Sequence, residues 1–235
     1  MTPVRDAATV MIVRDASEGP QVFMVRRGGR AAWLPDFYVF PGGALEAADR
    51  SAEARERSAA FSDEIGPYAF AAARETFEEV GLLFADRDLP HGDLAEIRAR
   101  INAGETTFIE GLASLHARVD LARLRYFSRW ITPPEEPRRF DARFFIARAP
   151  EAQLAEADAA EVHDGRWVRP ADALAAHARG EIGMIFPTIK HLERIAPYAD
   201  VEALLAFASE KPIVTVSPTV AHDAISMAPE LENAW

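Results

Sequence analysis

Glu75, Glu78 and Glu79 lie close together in the run Arg74-Glu75-Thr76-Phe77-Glu78-Glu79-Val80-Gly81. On a helix these carboxylates stand at i, i+3 and i+4 and share one face. Phe70, Ala73, Phe77 and Val80 supply an apolar stripe at helical spacing, and Gly81 suits a helix C-cap. Three like charges so placed repel one another by about 0.2–0.5 kcal/mol per pair on an exposed helix. A hard divalent cation, Mg2+ or Mn2+, takes oxygen ligands and would offset that repulsion. The chemistry such a cluster could serve is attack of water on an anionic substrate whose charge the cation neutralises. A solvated acidic helix face would contain the same residues, so the preceding segment must decide.

That segment reads Tyr38-Val39-Phe40-Pro41-Gly42-Gly43-Ala44-Leu45-Glu46-Ala47-Ala48-Asp49. Together with Arg74, Glu75, Glu78, Glu79, Gly81 and Leu82 it resembles the signature of the Nudix hydrolases, with Gly43 at the first glycine. Three departures are plain. The intermediate acid is Asp49 instead of Glu, Thr76 replaces an aliphatic residue, and Arg50 to Ala73 places 24 residues where the signature has seven. A long insertion at that point, with Arg129-Trp130-Ile131-Thr132-Pro133 and Pro137-Arg138-Arg139-Phe140-Asp141 further on, is similar to one branch: the peroxisomal coenzyme A diphosphatases and their bacterial relatives. The resemblance spans roughly residues 7–194 and implies a mixed α/β (α+β) fold, a Nudix αβα sandwich with an added helical insertion.

The same resemblance implies the reaction: metal-dependent hydrolysis of a pyrophosphate bond in a nucleoside diphosphate linked to another moiety. Coenzyme A or an acyl derivative is the first expectation. ADP-ribose, NADH or a dinucleoside polyphosphate is the alternative, as is a non-catalytic ligand sensor on the same fold. Glu75, Glu78, Glu79 and the Gly43 carbonyl are the expected Mg2+ or Mn2+ ligands. Arg74, at i,i+4 to Glu78, would orient a carboxylate through charge-assisted hydrogen bonds, with Asp49 in support. Gly42 and Gly43 after Pro41 suit a turn in which backbone comes close to a ligand.

The general base is open between a box glutamate and a later acid. Glu161 is favoured over Asp158, and His163 stands nearby. Arg26, Arg27, Arg138 and Arg139 are candidates to bind substrate phosphates, or else balance neighbouring acids. Trp33, Phe37 and Tyr38 could stack on a base, or could simply be core. A GxSxG elbow, a GxxxxGK[ST] loop and an HExxH helix are all absent from the sequence.

These residues need a scaffold. Residues 7–14 and 21–26 read as a hairpin around the turn material of 15–20, and 33–39 as an irregular stretch entering a short strand. Residues 51–73 should be largely helical, broken near Gly66-Pro67 and continuing into the acidic helix. Further helices are expected over 94–102 and 107–119. Segments of about 50–68 and 90–123 would then form a helical cap that shapes the substrate pocket, on a single domain covering 1–235. Strands are expected at 126–131, 143–148 and 161–168, with Asp164-Gly165 as a turn, and a last one at 213–216. Helices are expected at 170–177, 187–195 and 201–208. From Glu210 onward the chain reads as an extended arm, suited to exchange between copies.

Composition sets outer limits. Hydrophobic residues make up 49% and charged residues 27%, enough for a sizeable core. A net charge of −11 argues against general nucleic-acid binding, which needs a basic footprint. Cysteine is absent, which removes disulfides, thiolate zinc sites and cysteine nucleophiles. The N-terminus lacks the apolar stretch of a signal peptide, and no apolar run would span a bilayer. A cytoplasmic protein without membrane partners, with homodimerisation as a family-level expectation, is the resulting picture.

Overall fold

The computed structural model describes residues 2–28, 34–158, 162–221, 224–231 and 234–235. Trp33, Glu161 and the side chain of His163 lie outside the described residues.

Strands β1 (Val4–Arg14) and β2 (Gln21–Arg27) form the expected hairpin. Alternate residues of each are buried on opposite faces: Ala8, Val10, Ile12, Phe23 and Val25 join one core, Met11, Val13, Val22 and Met24 the other. Burial on both faces is why these strands read as almost continuous apolar runs. The hairpin is zipped only at Val13–Val22 and Arg14–Gln21, and then splays. Into the gap runs the segment containing β3 (Phe37–Val39) and β4 (Gly42–Ala44). β3 pairs with β2, β4 pairs with β1, and Val10 N donates to Pro41 O at 2.9 Å. The tandem glycines are therefore held at the split in the sheet by ladder hydrogen bonds on β1.

The insertion is less helical than its composition suggests. Ser51 caps the short helix α1 (Ala52–Glu56), which gives way to strand β5 (Ser58–Ala59). Gly66-Pro67 open helix α2 (Gly66–Val80), where proline costs no hydrogen bond, and Gly81 closes it in the left-handed conformation. Two helices follow, α3 (His91–Asn102) and α4 (Phe108–Ser114), the latter entered through a Thr107/Glu110 capping box. The helix expected to reach Val119 stops early. His116 turns left-handed and Ala117 N reaches back to Leu112 O, leaving β6 (Val119–Asp120) to pair with β5.

β7 (Arg125–Ile131) and β8 (Arg139–Arg148) extend the sheet, β8 lying parallel to β1 and β7 antiparallel to β8. β9 (Val162–Val168) covers the other edge of β2. Asp164-Gly165 is not the turn expected. The pair forms a bulge inside β9 opposite Val25, with Asp164 in the left-handed region that aspartate tolerates better than most residues. Helix α5 (Pro170–Ala178), strand β10 (Gly183–Met184) beside β3, and helices α6 (Phe186–Ile195) and α7 (Val201–Glu210) complete the second face. β11 (Thr215–Val216) pairs with β7.

The sheet thus lies between α2 with the insertion on one face and α6 with α7 on the other. After β11 the chain does not extend away as an arm. β12 (Thr219–Ala221) and β13 (Ala224–Ser226) make a small hairpin, and Met227 and Trp235 are buried against the second core. Among the described residues no helix is long and apolar enough to cross a membrane.

Candidate active site

Helix α2 buries Phe70, Ala73, Phe77 and Val80, so its carboxylates are turned toward β4 and the rim of the sheet. Gly42 N donates to Glu79 Oε2 at 2.9 Å. Gly43 lies directly against Glu75: a Cβ there would fall 2.5 Å from the Glu75 carboxylate carbon. Gly42 has φ +151°, and a Cβ would meet Ala8 O at 2.3 Å. Glycine is needed at both positions, once for close contact with the β1 backbone and once for close contact with a carboxylate.

Arg74 sits behind this pair and is nearly inaccessible to solvent. Its Nε and Nη2 each bond one Asp49 oxygen at 3.0 Å, a bidentate fork on a carboxylate that is fully buried. Nη1 donates to Glu75 at 2.9 Å and Glu78 at 3.1 Å, and Nη2 also reaches Ala44 O at 3.2 Å. All five guanidinium N–H groups are thereby engaged. Burial by itself would weaken the arginine's hold on its proton; the bonds to Asp49 and the charges of Glu75 and Glu78 outweigh it, and the pKa is raised. Asp49, in the middle of a 3-10 turn (Ala48–Arg50), also accepts from Glu46 N at 2.8 Å, which fixes its carboxylate beside Arg74.

Glu78 is pushed up to about 7, first by burial and then by the charges of Glu75 and Glu46, against the pull of Arg74. Its main-chain oxygen is also occupied, by Arg98 Nε at 3.0 Å and Asn102 Nδ2 at 3.1 Å, both from α3. The insertion therefore grips the end of the acidic helix. The chain after β8 grips it too: Glu156 N bonds Val80 O at 3.0 Å and Asp158 N bonds Glu79 O at 2.8 Å. Nothing in the order of residues signals these long-range contacts.

Glu75 and Glu79 open into a cleft of about 550 Å³ that also takes in Gly42, Gly43, Arg27 and Arg138. Glu78 is not part of its wall; Arg74 holds it back. Two of the four expected arginines stand elsewhere. Arg26 faces a separate cavity and pairs with Asp36, while Arg139 uses Nε to hold Thr132 O at 3.2 Å. Arg5 and Thr9 line the cleft from β1, and Pro218 and Ile225 line it from the segment after β11; the sequence pattern marks none of the four. Phe37 and Tyr38 line the separate cavity, where Arg166 lies over the Tyr38 ring. None of the lining residues comes from 45–74 or 80–129. The expected pocket-shaping cap is thus corrected: Phe108 packs on Phe70 and Phe77, against the buried side of α2, so the insertion supports the acidic helix from behind.

Among the described residues no three acidic or histidine side chains converge as in a filled metal site. The donor set nevertheless fits a hard cation. Two carboxylates meet a wall with no Cβ, and all available donors are oxygens, which suits an ion that keeps several of its waters.

Comparison with known proteins agrees with this architecture. A family model described as the NUDT19 Nudix domain matches residues 53–195, well over half of the chain. The chain is 26% identical to the acyl-coenzyme A diphosphatase NUDT19 of Gallus gallus, over 88% of this chain and 72% of that one. It is 28% identical to the Homo sapiens protein of the same name, over 81% and 64%. The chain thus spans just under two thirds of the human relative. A crystal structure of a Nudix hydrolase from Alicyclobacillus acidocaldarius superposes with a TM-score of 0.75 at 30% identity, covering 90% of this chain and all of that one. This chain belongs to the Nudix hydrolases, a family of pyrophosphohydrolases that generally use divalent metals.

Proposed function

We propose that the protein is a Mg2+- or Mn2+-dependent diphosphatase acting on coenzyme A or its acyl derivatives, yielding 3',5'-ADP and a 4'-phosphopantetheine. The observation that carries this reading is the cleft itself, with Glu75, Glu79 and two glycines at one wall and Arg27 and Arg138 within the same space. Its volume falls in the range of about 300–1,000 Å³ usual for ligand sites. The names of the relatives supply the coenzyme A part.

In this reading Glu75, Glu79 and the Gly43 carbonyl hold the cation, with Glu78 close behind. When bound, the cation withdraws charge from the anhydride oxygens and favours attack by water. Arg74 and Asp49 are positioning residues: their buried fork fixes the rotamer of Glu75 and the distance from α2 to β4. Arg27 and Arg138, joined by Arg5, neutralise the remaining phosphate charge. A new P–O bond from water forms as the bridging P–O bond breaks, and the water's proton passes to a carboxylate. We assign that role first to Glu161, which lies outside the described residues, and second to Asp158, whose N bonds Glu79 O.

Mass-spectrometric product analysis tests the reading, with coenzyme A, ADP-ribose, NADH and diadenosine polyphosphates, each with and without Mg2+ or Mn2+. Metal-dependent phosphopantetheine from coenzyme A supports it. Cleavage of another member alone discards the coenzyme A assignment, and no cleavage at all favours a ligand-sensing role. Glu161→Gln and Asp158→Asn test the proton acceptor; full activity in both would move that role to the box.

A further inference from the structure

We propose that the end of the cleft remote from Glu79 is the subsite for the acyl chain of a coenzyme A thioester, with Ile225 of the C-terminal hairpin as a specificity-determining residue. The proposal rests on the coenzyme A reading and adds to it which part of this chain distinguishes acylated from free coenzyme A.

The strand register gives the cleft its length and direction. Ala44 pairs with Ala7, Ala7 with Ala142, Ala142 with Trp130, and Val216 lies next to Trp130. Three strand spacings, about 14 Å, therefore separate the β4 glycines from Trp130, and a fourth reaches β11 at about 19 Å. A pyrophosphate with its cation fills only the β4 end. In coenzyme A the pantetheine arm would run from the pyrophosphate along this length, so an acyl group on its sulfur falls at the remote end.

The remote end is apolar. Trp130, Ile131, Phe186, Pro218 and Ile225 give it an apolar wall, while Glu136 and Arg138 enter the cleft from the loop after Pro133, where Glu136 N bonds Pro133 O at 3.2 Å. Ile225 is 39% exposed, one of few large apolar side chains left open to solvent among the described residues. Met227 and Trp235 are buried in the second core, and Trp235 meets Trp130 at 5.0 Å and His191 at 4.8 Å between ring centres. The segment is anchored behind Ile225, whose side chain lines the cleft.

The aromatic walls are fixed by a buried relay of hydrogen bonds. Trp130 Nε1 donates to Ser128 Oγ at 3.2 Å, Ser128 Oγ lies 2.7 Å from His191 Nε2, and His191 Nδ1 lies 2.6 Å from Pro187 O. One direction of donation satisfies every member: indole to hydroxyl, hydroxyl to Nε2, Nδ1–H to carbonyl. His191 stacks on Phe144 at 4.1 Å and is pushed down to about 3 by burial, so the relay stays neutral. It ties the β7 wall to the start of α6, where Phe186 meets Trp130 edge-on at 6.1 Å. Such a preformed, rigid apolar slot, continuous with the reacting site, suits a linear hydrocarbon more than a second polar group. The segment that closes it also lies outside the 53–195 span that carries the family match.

The test is kcat/KM with coenzyme A and its acetyl, butanoyl, hexanoyl and octanoyl thioesters, for the wild type, Ile225→Asp and Ile225→Leu. Calorimetric binding of coenzyme A and octanoyl-coenzyme A to the Glu79→Gln protein gives a readout without turnover. The wild type should gain with chain length, by up to about fourfold per methylene buried. Ile225→Asp should lower the octanoyl-to-free ratio at least tenfold, and Ile225→Leu should keep it. A flat series in the wild type, or an equal loss on every substrate in Ile225→Asp, overturns the inference alone. Failure to cleave any member with either metal overturns the coenzyme A reading and the inference together.

Discussion

The carboxylate end of the cleft and its aromatic end are built in opposite ways. At the first, the residues that meet lie within one stretch, Gly42 to Glu79, and are fixed by ions and hydrogen bonds centred on Arg74. At the second, the wall comes from β7, the start of α6 and a hairpin at the far end of the sequence, fixed by ring contacts and one neutral relay. The first holds charge at a defined distance through a closed set of hydrogen bonds. The second excludes water and should tolerate apolar exchanges. The proposed reading puts chemistry at the polar end and discrimination at the apolar end.

Substitutions can break this contrast. Glu79→Gln removes a cleft carboxylate while keeping its shape and an acceptor for Gly42 N, so turnover should fall by about two orders of magnitude or more with unfolding unchanged. Near-normal turnover would remove the chemistry from this end. Gly43→Ala is next. Its Cβ would press on the Glu75 carboxylate, and displacement of Glu75 should lower turnover about 10–100-fold, by analogy with the loss of residues supporting metal ligands. Full activity would mean that Glu75 can move without consequence.

The pH dependence of metal binding should be a smaller effect. The Glu78 carboxyl, with an ordinary value of 4.5, is raised to about 7 in the folded protein. Below 4.5 it is protonated in both folded and unfolded chains, and its contribution to stability is fully present there. As pH rises from 4.5 to about 7 only the unfolded chain loses the proton, so that contribution is lost. A cation should restore it, so the rise in Tm on adding Mg2+ should be larger at pH 8 than at pH 6. Equal shifts would contradict the link between Glu78 and the metal.

The smallest effect on turnover is expected in the insertion. Phe108→Ala should cost about 3–5 kcal/mol in urea unfolding, since Phe108 is buried against Phe70 and Phe77. It should leave relative kcat/KM values among substrates unchanged, because no insertion residue lines the cleft. A changed substrate preference would restore the insertion as a specificity element.

How far the sequence foretells this structure follows the same division. The acidic helix and its glycine cap are legible because a 3.6-residue period and a left-handed residue are local properties. So are the strands that show both faces apolar, and the break at Gly66-Pro67. The role of Arg74 as a hub also needed only its i,i+4 spacing to Glu78, although its fork on Asp49 spans 25 positions. The alanine-rich stretch after Ser51 misleads, since propensity for helix gives way to pairing of Ser58 with Val119. Asp164-Gly165 has turn chemistry, but the ladder to β2 absorbs it as a bulge. Arg26 and Arg27 are neighbours in sequence yet face different cavities, as alternate residues of a strand must. Arg5 reaches the cleft through sheet register, and Pro218 and Ile225 belong to the segment anchored by buried Met227 and Trp235, which no local pattern records.

The most direct test of the account is Mn2+ binding followed by electron paramagnetic resonance, comparing the wild type with a Glu75→Gln, Glu79→Gln double variant at pH 8. The account predicts a bound Mn2+ in the wild type that is lost in the variant, with both proteins unfolding at similar urea concentrations. Equal Mn2+ binding by the two folded proteins would contradict it, and would put the cation, and the chemistry with it, away from the acidic helix.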